Sequence, residues 1–304
     1  MPIHIPTSTR REFLGTLGAG VVAFSVPGSS HATSNTQQIE QDVVCLLNDT
    51  HIGEKHPPTS ARPKNLNQIV SQIIARKLKP AAVLINGDLA SHDGQPGDYR
   101  HFAKLIKPLQ TANINLHLTM GNHDNRETFY QVMQEQQLNE SPVQSKHIAV
   151  VQTKHANFFL LDALIKTMVT QGEIGKEQLN WLADALDRMN DKPAIIMVHQ
   201  NPRLGGDPLH FPGGLIDSQP LWEILEAHKH VKAYFHGHIH DRGFAKHKGI
   251  HIVNCLATSY VADKTKSTTG WTTAKLSTNG VLLTTNTTDP AHAWNNQTKE
   301  LTWR

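Results

Sequence analysis

Cysteine is nearly absent: two residues in 304, Cys45 and Cys255, with no Cys-x-x-Cys or similar spacing. That spacing argues against a zinc-thiolate centre. Both lie in apolar runs and read as buried strand thiols, with no pairing indicated. Charge of one sign is also scarce. The formal net charge of +3 is too small for an electrostatic nucleic-acid footprint, so no specific nucleic-acid binding is expected. No uninterrupted apolar stretch reaches the roughly 20 residues of a membrane-spanning helix. A Gly-x-Ser-x-Gly nucleophile elbow is missing, as are internal repeats and low-complexity tracts. What remains is a chain of ordinary globular composition, long enough for ample core, and unusual in carrying 20 histidines.

The first residues read as an address. Ser8-Thr9-Arg10-Arg11-Glu12-Phe13-Leu14 places paired arginines before a mildly apolar segment, and Ser30-His31-Ala32 offers small residues at the positions a signal peptidase reads. Residues 1–32 thus resemble a twin-arginine export signal. That implies the twin-arginine translocase as a partner during export and a periplasmic or secreted destination. Residues 33–42 are polar and read as a flexible leader, residues 43–288 as the folded domain, and residues 289–304 as a tail that no pattern places.

Within the domain, strand and helix patterns alternate. Residues 65–78 carry a helical stripe through Leu66, Ile69, Val70, Ile73, Ile74 and Leu78. Residues 98–109 and 127–137 supply two more helices, so the first half predicts a parallel sheet with right-handed crossovers. The second half is richer in strands. Residues 148–152 and 157–162 predict a hairpin, residues 177–189 and 220–228 predict helices, and Thr278-Asn279-Gly280 predicts a hairpin turn. The expected class is α/β (α+β), with two packed mixed sheets and helices outside.

Five apolar runs end in metal-ligand chemistry. Residues 43–47 lead to Asp49-Thr50-His51, residues 82–85 to Gly87-Asp88, and residues 114–119 to Gly121-Asn122-His123-Asp124. Residues 195–198 lead to His199, and residues 231–235 to Gly237-His238-Ile239-His240. Each motif alone is ordinary: a Gly-Asp is most often a turn, and a lone histidine is most often a satisfied core residue. Strand ends in an α/β sheet share one crevice, however. Five that carry Asp, Asn and His in order describe an active-site floor.

Together these blocks resemble the signature of the calcineurin-like metallophosphoesterase superfamily, over about residues 43–254. The resemblance implies a four-layer sandwich of two mixed β-sheets flanked by helices. It also implies two divalent ions (Mn, Fe or Zn), about 3.5–4 Å apart, clamping a phosphate ester. Asp88 would bridge them, with Asp49, His51 and His240 completing one site and Asn122, His199 and His238 the other. A bridging hydroxide would attack phosphorus while His123 assists the leaving group, and Asp124 would orient the His123 ring. Gly172-Glu173 and Gln178-Leu179-Asn180-Trp181-Leu182 resemble a segment of the branch with class III cyclic-nucleotide phosphodiesterases. No Asp-x-x-Tyr block of the purple acid phosphatases is present, nor a His-x-His-x-Asp-His block of the metallo-β-lactamase kind.

The expected function is an exported dinuclear phosphoesterase acting on a phosphodiester or phosphomonoester. The substrate is expected to be a small molecule or an envelope phosphate ester. A non-catalytic metal-binding protein on the same scaffold is the alternative. For substrate contacts the sequence offers His56, Arg203, His210 and Arg242, the second and third in a Gly/Pro-rich loop over residues 200–219 with the character of a lid or pocket wall.

Overall fold

The computed structural model describes residues 38–137, 141–204 and 213–304. The export-like segment, residues 1–32, lies outside them.

Among the described residues, twelve strands form two six-stranded sheets. The first half gives β1 (Ile39–Asn48), α1 (Ala61–Ile74), β2 (Lys79–Asn86), α2 (Pro96–Thr111), β3 (Leu116–Thr119) and α3 (Arg126–Val132). Next come β4 (Ala149–Gln152), β5 (Asn157–Leu160), α4 (Lys176–Arg188), β6 (Ala194–Met197), α5 (Ser218–Ala227) and β7 (Val231–His236). The last strands are β8 (Gly243–His247), β9 (Ile250–Asn254), β10 (Gly270–Leu276), β11 (Gly280–Thr287) and β12 (Thr298–Thr302). One sheet runs β12-β11-β10-β1-β2-β3 and the other β4-β5-β6-β7-β9-β8. Both are mixed. Strands β1, β2 and β3 are parallel neighbours, as are β5, β6, β7 and β9, and the outer strands add antiparallel pairs.

Side-chain alternation divides the interior into three cores. In β1, Val44 and Leu46 point between the sheets with Phe158, Met197 and Phe235, while Cys45 and Leu47 point to the α1–α2 side with Leu66, Ile69 and Phe102. In β6, Ile195 and Met197 share the central core, while Ile196, and Val198 just past the strand, pack toward α4 and α5 with Leu182 and Trp222. Both faces of these strands are buried, which is why they read as continuous apolar runs. The layers are helix, sheet, sheet, helix, as the sequence implied. Both cysteines are free and buried, and burial pushes each thiol up to about 12, so both stay inert thiols.

Two boundaries differ from the expectation. Strand β1 begins at Ile39, so residues 39–42 belong to the sheet rather than to a leader. Exposed and half-buried positions alternate there, and the polar composition hides an edge-like start. Residues 298–302 form β12, paired with β11. Only Leu301 of β12 is buried, too little to leave a hydrophobic period.

Candidate metal centre and its surroundings

Parallel strands deliver the ligands to one edge of each sheet. Past the end of β1, the chain keeps pairing with the chain leaving β2: the N–H groups of Asp49, His51 and Ile52 donate to the carbonyls of Gly87, Asp88 and Leu89 at 3.3, 2.8 and 3.0 Å. Past β7, the Gly237 N–H donates to the His199 carbonyl at 3.0 Å. This splayed backbone adopts left-handed turns at Asp49, His51, Asp88, His238 and His240, with φ of 53°, 45°, 49°, 68° and 56°. Such values cost on the order of 1–3 kcal/mol each for residues with a side chain. Neighbouring strands hold them in place.

Asp49, His51, Asp88 and His240 offer ligand atoms within 4.8 Å of one another, and Asp88, His199 and His238 do likewise. All are buried. Asp88 belongs to both groups. Its Oδ1 accepts the His123 backbone N–H at 2.9 Å, while Oδ2 lies 3.3 Å from His51 Nε2 and 3.2 Å from His199 Nε2. Sharing therefore falls on a single carboxylate oxygen. The Asp49 carboxylate accepts the His238 N–H with both oxygens at 3.2 Å.

The donor chemistry fits a pair of cations. His51, His199 and His240 each direct Nδ1 at a backbone carbonyl, those of Ser91, Asn86 and Tyr260, at 3.3, 3.0 and 2.8 Å. An Nδ1–H donated to a carbonyl leaves Nε2 as a bare lone pair. Yet the Nε2 atoms of His51 and His240 face each other at 3.1 Å. Two lone pairs at that distance repel unless positive charge sits between them. The buried Oδ1 of Asn122 has no hydrogen-bond partner, and His199 Nε2 faces the carboxylates of Asp88 and Asp49 at 3.2 and 3.8 Å, an arrangement suited to atoms that hold a metal. The His238 ring directs Nε2 toward the Gly213 carbonyl at 3.1 Å.

Electrostatics point the same way. Burial works against charge on His199, but Asp88 and Asp49 override it and carry the imidazole up to about 10. Burial, reinforced by His199, depresses His238 to about 3, and burial also pushes the Asp49 carboxyl up. Divalent cations bound here would supply the positive charge that the carboxylates otherwise draw from the His199 imidazole.

Two glycines have steric duties. A Cβ on Gly237 would lie 2.5 Å from Asp49 Oδ2, and one on Gly121 would lie 2.2 Å from Asp88 Oδ1.

His123 is half-buried beside this cluster, with its ring centroid 5.1 Å from that of His51. The expectation that Asp124 orients it needs correction. His123 Nδ1 meets the carbonyl of His92 at 2.6 Å. The Asp124 carboxylate instead accepts backbone N–H groups of Gly121, Leu89 and Ala90, at 2.9, 3.2 and 3.1 Å, and the Tyr99 hydroxyl at 3.1 Å. Asp124 therefore clamps the ligand loop after β3 onto the loop after β2. Burial and the Asp88 charge raise its carboxyl to about 6. Adjacency in sequence suggested the wrong partner, because the turn sends the two side chains apart. The α3 cap is Asn125, whose side chain accepts the Thr128 N–H.

The four substrate candidates fare differently. Arg242 donates to Thr285 Oγ1 and Gln297 Oε1 at 3.0 and 2.9 Å and lies over the Trp294 ring at 4.2 Å, so it fastens the C-terminal segment and is not turned to the metal cluster. His56 closes its own turn, accepting the Gly53 N–H at 3.0 Å. Arg203 is exposed and its backbone N–H donates to Ser218 Oγ at 2.7 Å. His210 lies outside the described residues, with residues 205–212 of the expected lid. Sequence reasoning missed Arg62 and Tyr260. The Tyr260 ring packs 4.1 Å from that of His240, and the Arg62 guanidinium lies over it at 4.8 Å. No motif flags either residue.

Gln178, in the segment that resembles cyclic-nucleotide phosphodiesterases, is buried and holds the backbone after β5. It accepts the Asp162 N–H at 2.9 Å and donates to the carbonyls of Asp162 and Ile174 at 2.8 and 2.9 Å.

Comparison with known proteins agrees with this geometry. The calcineurin-like phosphoesterase family profile matches residues 43–242. A 3',5'-cyclic adenosine monophosphate phosphodiesterase of Vibrio vulnificus is 28% identical over 265 residues, covering 84% of this chain and 92% of that protein. A cAMP/cGMP dual specificity phosphodiesterase of Mycobacterium tuberculosis is 28% identical over 246 residues, 79% of this chain and 75% of that protein. Among solved structures, a dimetal phosphatase from Danio rerio superposes with a TM-score of 0.65 at 14% identity, covering 86% of this chain and 99% of that one, which speaks to the fold. The chain belongs to the calcineurin-like phosphoesterase family and is a metal-dependent phosphoric ester hydrolase.

Proposed function

We propose that this protein is an exported phosphodiesterase for small diesters of the cyclic-nucleotide kind, with His123 as the acid that releases the alcohol. The observation that carries the reading is the pair of ligand groups joined at Asp88 Oδ2, with a histidine beside them that belongs to neither.

When bound, two divalent ions polarise the phosphoryl group and activate the attacking water. The ligand set of imidazoles, carboxylates and Asn122 suits Mn, Fe or Zn. The chain does the rest. Its left-handed turns fix the donor atoms before substrate arrives, so little reorganisation remains at the reaction step. His123 commits Nδ1 to the His92 carbonyl, which keeps Nε2 for the departing oxygen; the ring would serve as the acid in its imidazolium form, with a proton on each nitrogen. The ester's alcohol leaves as a poor alkoxide unless it is protonated, and an acid at that position assists its departure. The cyclic-nucleotide preference is supported by the relatives named above. Export is supported by the Arg10-Arg11 segment, and it favours an extracytoplasmic nucleotide or headgroup ester over an internal signal.

The test is a chromogenic diester and monoester panel with manganese-loaded protein, blanked with chelator. Diester turnover above monoester turnover is expected. Asp88→Ala should lose metal and turnover together. Full activity in that variant, or a clear monoester preference, would overturn the assignment.

A further inference from the structure

We propose that Arg62 and Tyr260 form a phosphoryl-recognition pair on the rim of the His51–His240 half of the site. In this pair the Tyr260 hydroxyl donates a hydrogen bond to a non-bridging oxygen of the bound phosphoryl group. The inference rests on the phosphoesterase reading and deepens it by naming residues that hold the substrate's anionic centre.

Tyr260 is fixed at both ends except for its hydroxyl. Its carbonyl accepts from His240 Nδ1 at 2.8 Å. Its ring lies 4.1 Å from the His240 ring at 31°, and 5.1 Å from that of His51. The Arg62 guanidinium sits over the same ring, 4.8 Å from its centroid. With an imidazole and a guanidinium already against it, the ring is a poor platform for a nucleobase. The hydroxyl is what remains. Among the described residues it has no hydrogen-bond partner, although the residue is 37% exposed beside buried metal ligands. A rigid phenol with an unspent donor, attached to the wall of a phosphate site, is arranged to meet an anionic oxygen.

Arg62 is the second half. One Nη1 donates to Ser91 Oγ at 2.8 Å and to the His51 carbonyl at 3.4 Å. The remaining guanidinium donors have no hydrogen-bond partner among the described residues. Ser91 also supplies the carbonyl that fixes the His51 ring, so Arg62 is registered to the metal ligands through the same short segment. Its charge stays beside the phenol and adds attraction for an anion.

Tyr260→Phe separates these roles, because the ring and its contacts stay and only the hydroxyl goes. In manganese-loaded full-length protein, calorimetric titration with inorganic phosphate should show binding weakened about 10-fold, and diester kcat/KM should fall roughly 10- to 100-fold. Metal content should equal that of the parent. Arg62→Met should likewise weaken phosphate with metal content unchanged. Parental phosphate affinity in Tyr260→Phe overturns the proposal. Metal loss in that variant also overturns it, since the hydroxyl would then be serving the ligands. If the parent protein binds phosphate through this pair yet hydrolyses no diester, the proposed function falls while the pair stands.

Discussion

Adding one methyl group at Gly121 tests how finely the shared carboxylate is placed. A Cβ there would lie 2.2 Å from Asp88 Oδ1 and 2.3 Å from the Asp88 amide nitrogen. Such contacts must open by roughly 1 Å before they are tolerated. Neither side yields easily. The Gly121 N–H is tied to Asp124 at 2.9 Å, and Asp88 Oδ1 is tied to the His123 N–H at 2.9 Å. The displacement therefore passes to the carboxylate that belongs to both ligand groups. A misplacement of about 1 Å costs on the order of 100-fold in rate, and overpacking of a tight site costs about 1–3 kcal/mol of stability. Gly121→Ala should thus fold with a lowered Tm, hold less than its full complement of metal, and show kcat/KM on a chromogenic diester reduced about 100-fold. Elemental analysis, thermal melts and saturating-metal kinetics read these three quantities. Full metal content with kcat/KM within about twofold of the parent would refute the claim that Asp88 is immobile.

Two further outcomes concern stability. Asp162 is fully buried, paired with Arg126 and accepting the N–H groups of His147 and Leu164 at 2.8 and 3.0 Å. Asp162→Ala leaves donors and a guanidinium without their anion and should destabilise the fold by about 3–5 kcal/mol in denaturant titration; a loss below about 1 kcal/mol would show the network to be dispensable. His147 is buried, with Nδ1 against the Tyr130 hydroxyl and Nε2 against the Leu118 carbonyl at 2.7 and 3.1 Å. Burial lowers its pKa, so the unfolded chain binds the proton more readily and stability must fall as pH drops below about 6.5. His147→Gln should flatten that part of the Tm-against-pH curve, and an unchanged slope would assign the acid sensitivity elsewhere.

The clustering of the candidate ligands was legible because chemistry and period coincide there. Each of Asp49, Asp88, His199 and His238 closely follows an apolar strand, and strand ends in such sheets share a crevice. Fold layers were legible for the same reason: Val44 to Leu47 and Ile195 to Val198 read as doubly buried strands. Strand β12 has only Leu301 buried and β8 is largely exposed, so neither leaves a period in the sequence. Asp124 and Arg242 misled because neighbours in sequence point apart once the turns are made. Arg62 and Tyr260 lie 198 positions apart and meet only in the folded chain.

The left-handed turns at five of the seven candidate ligands carry a consequence beyond catalysis. A backbone bent this way before any ion arrives is at its least comfortable when empty, with imidazole lone pairs and carboxylates crowded together. Cations that bind only the native state lower its free energy by mass action, and here they also quench a repulsion that the bare scaffold must otherwise endure. Thermal tolerance of this protein should therefore track the supply of free divalent metal in its surroundings, making the centre a keystone of the architecture as well as its reactive point.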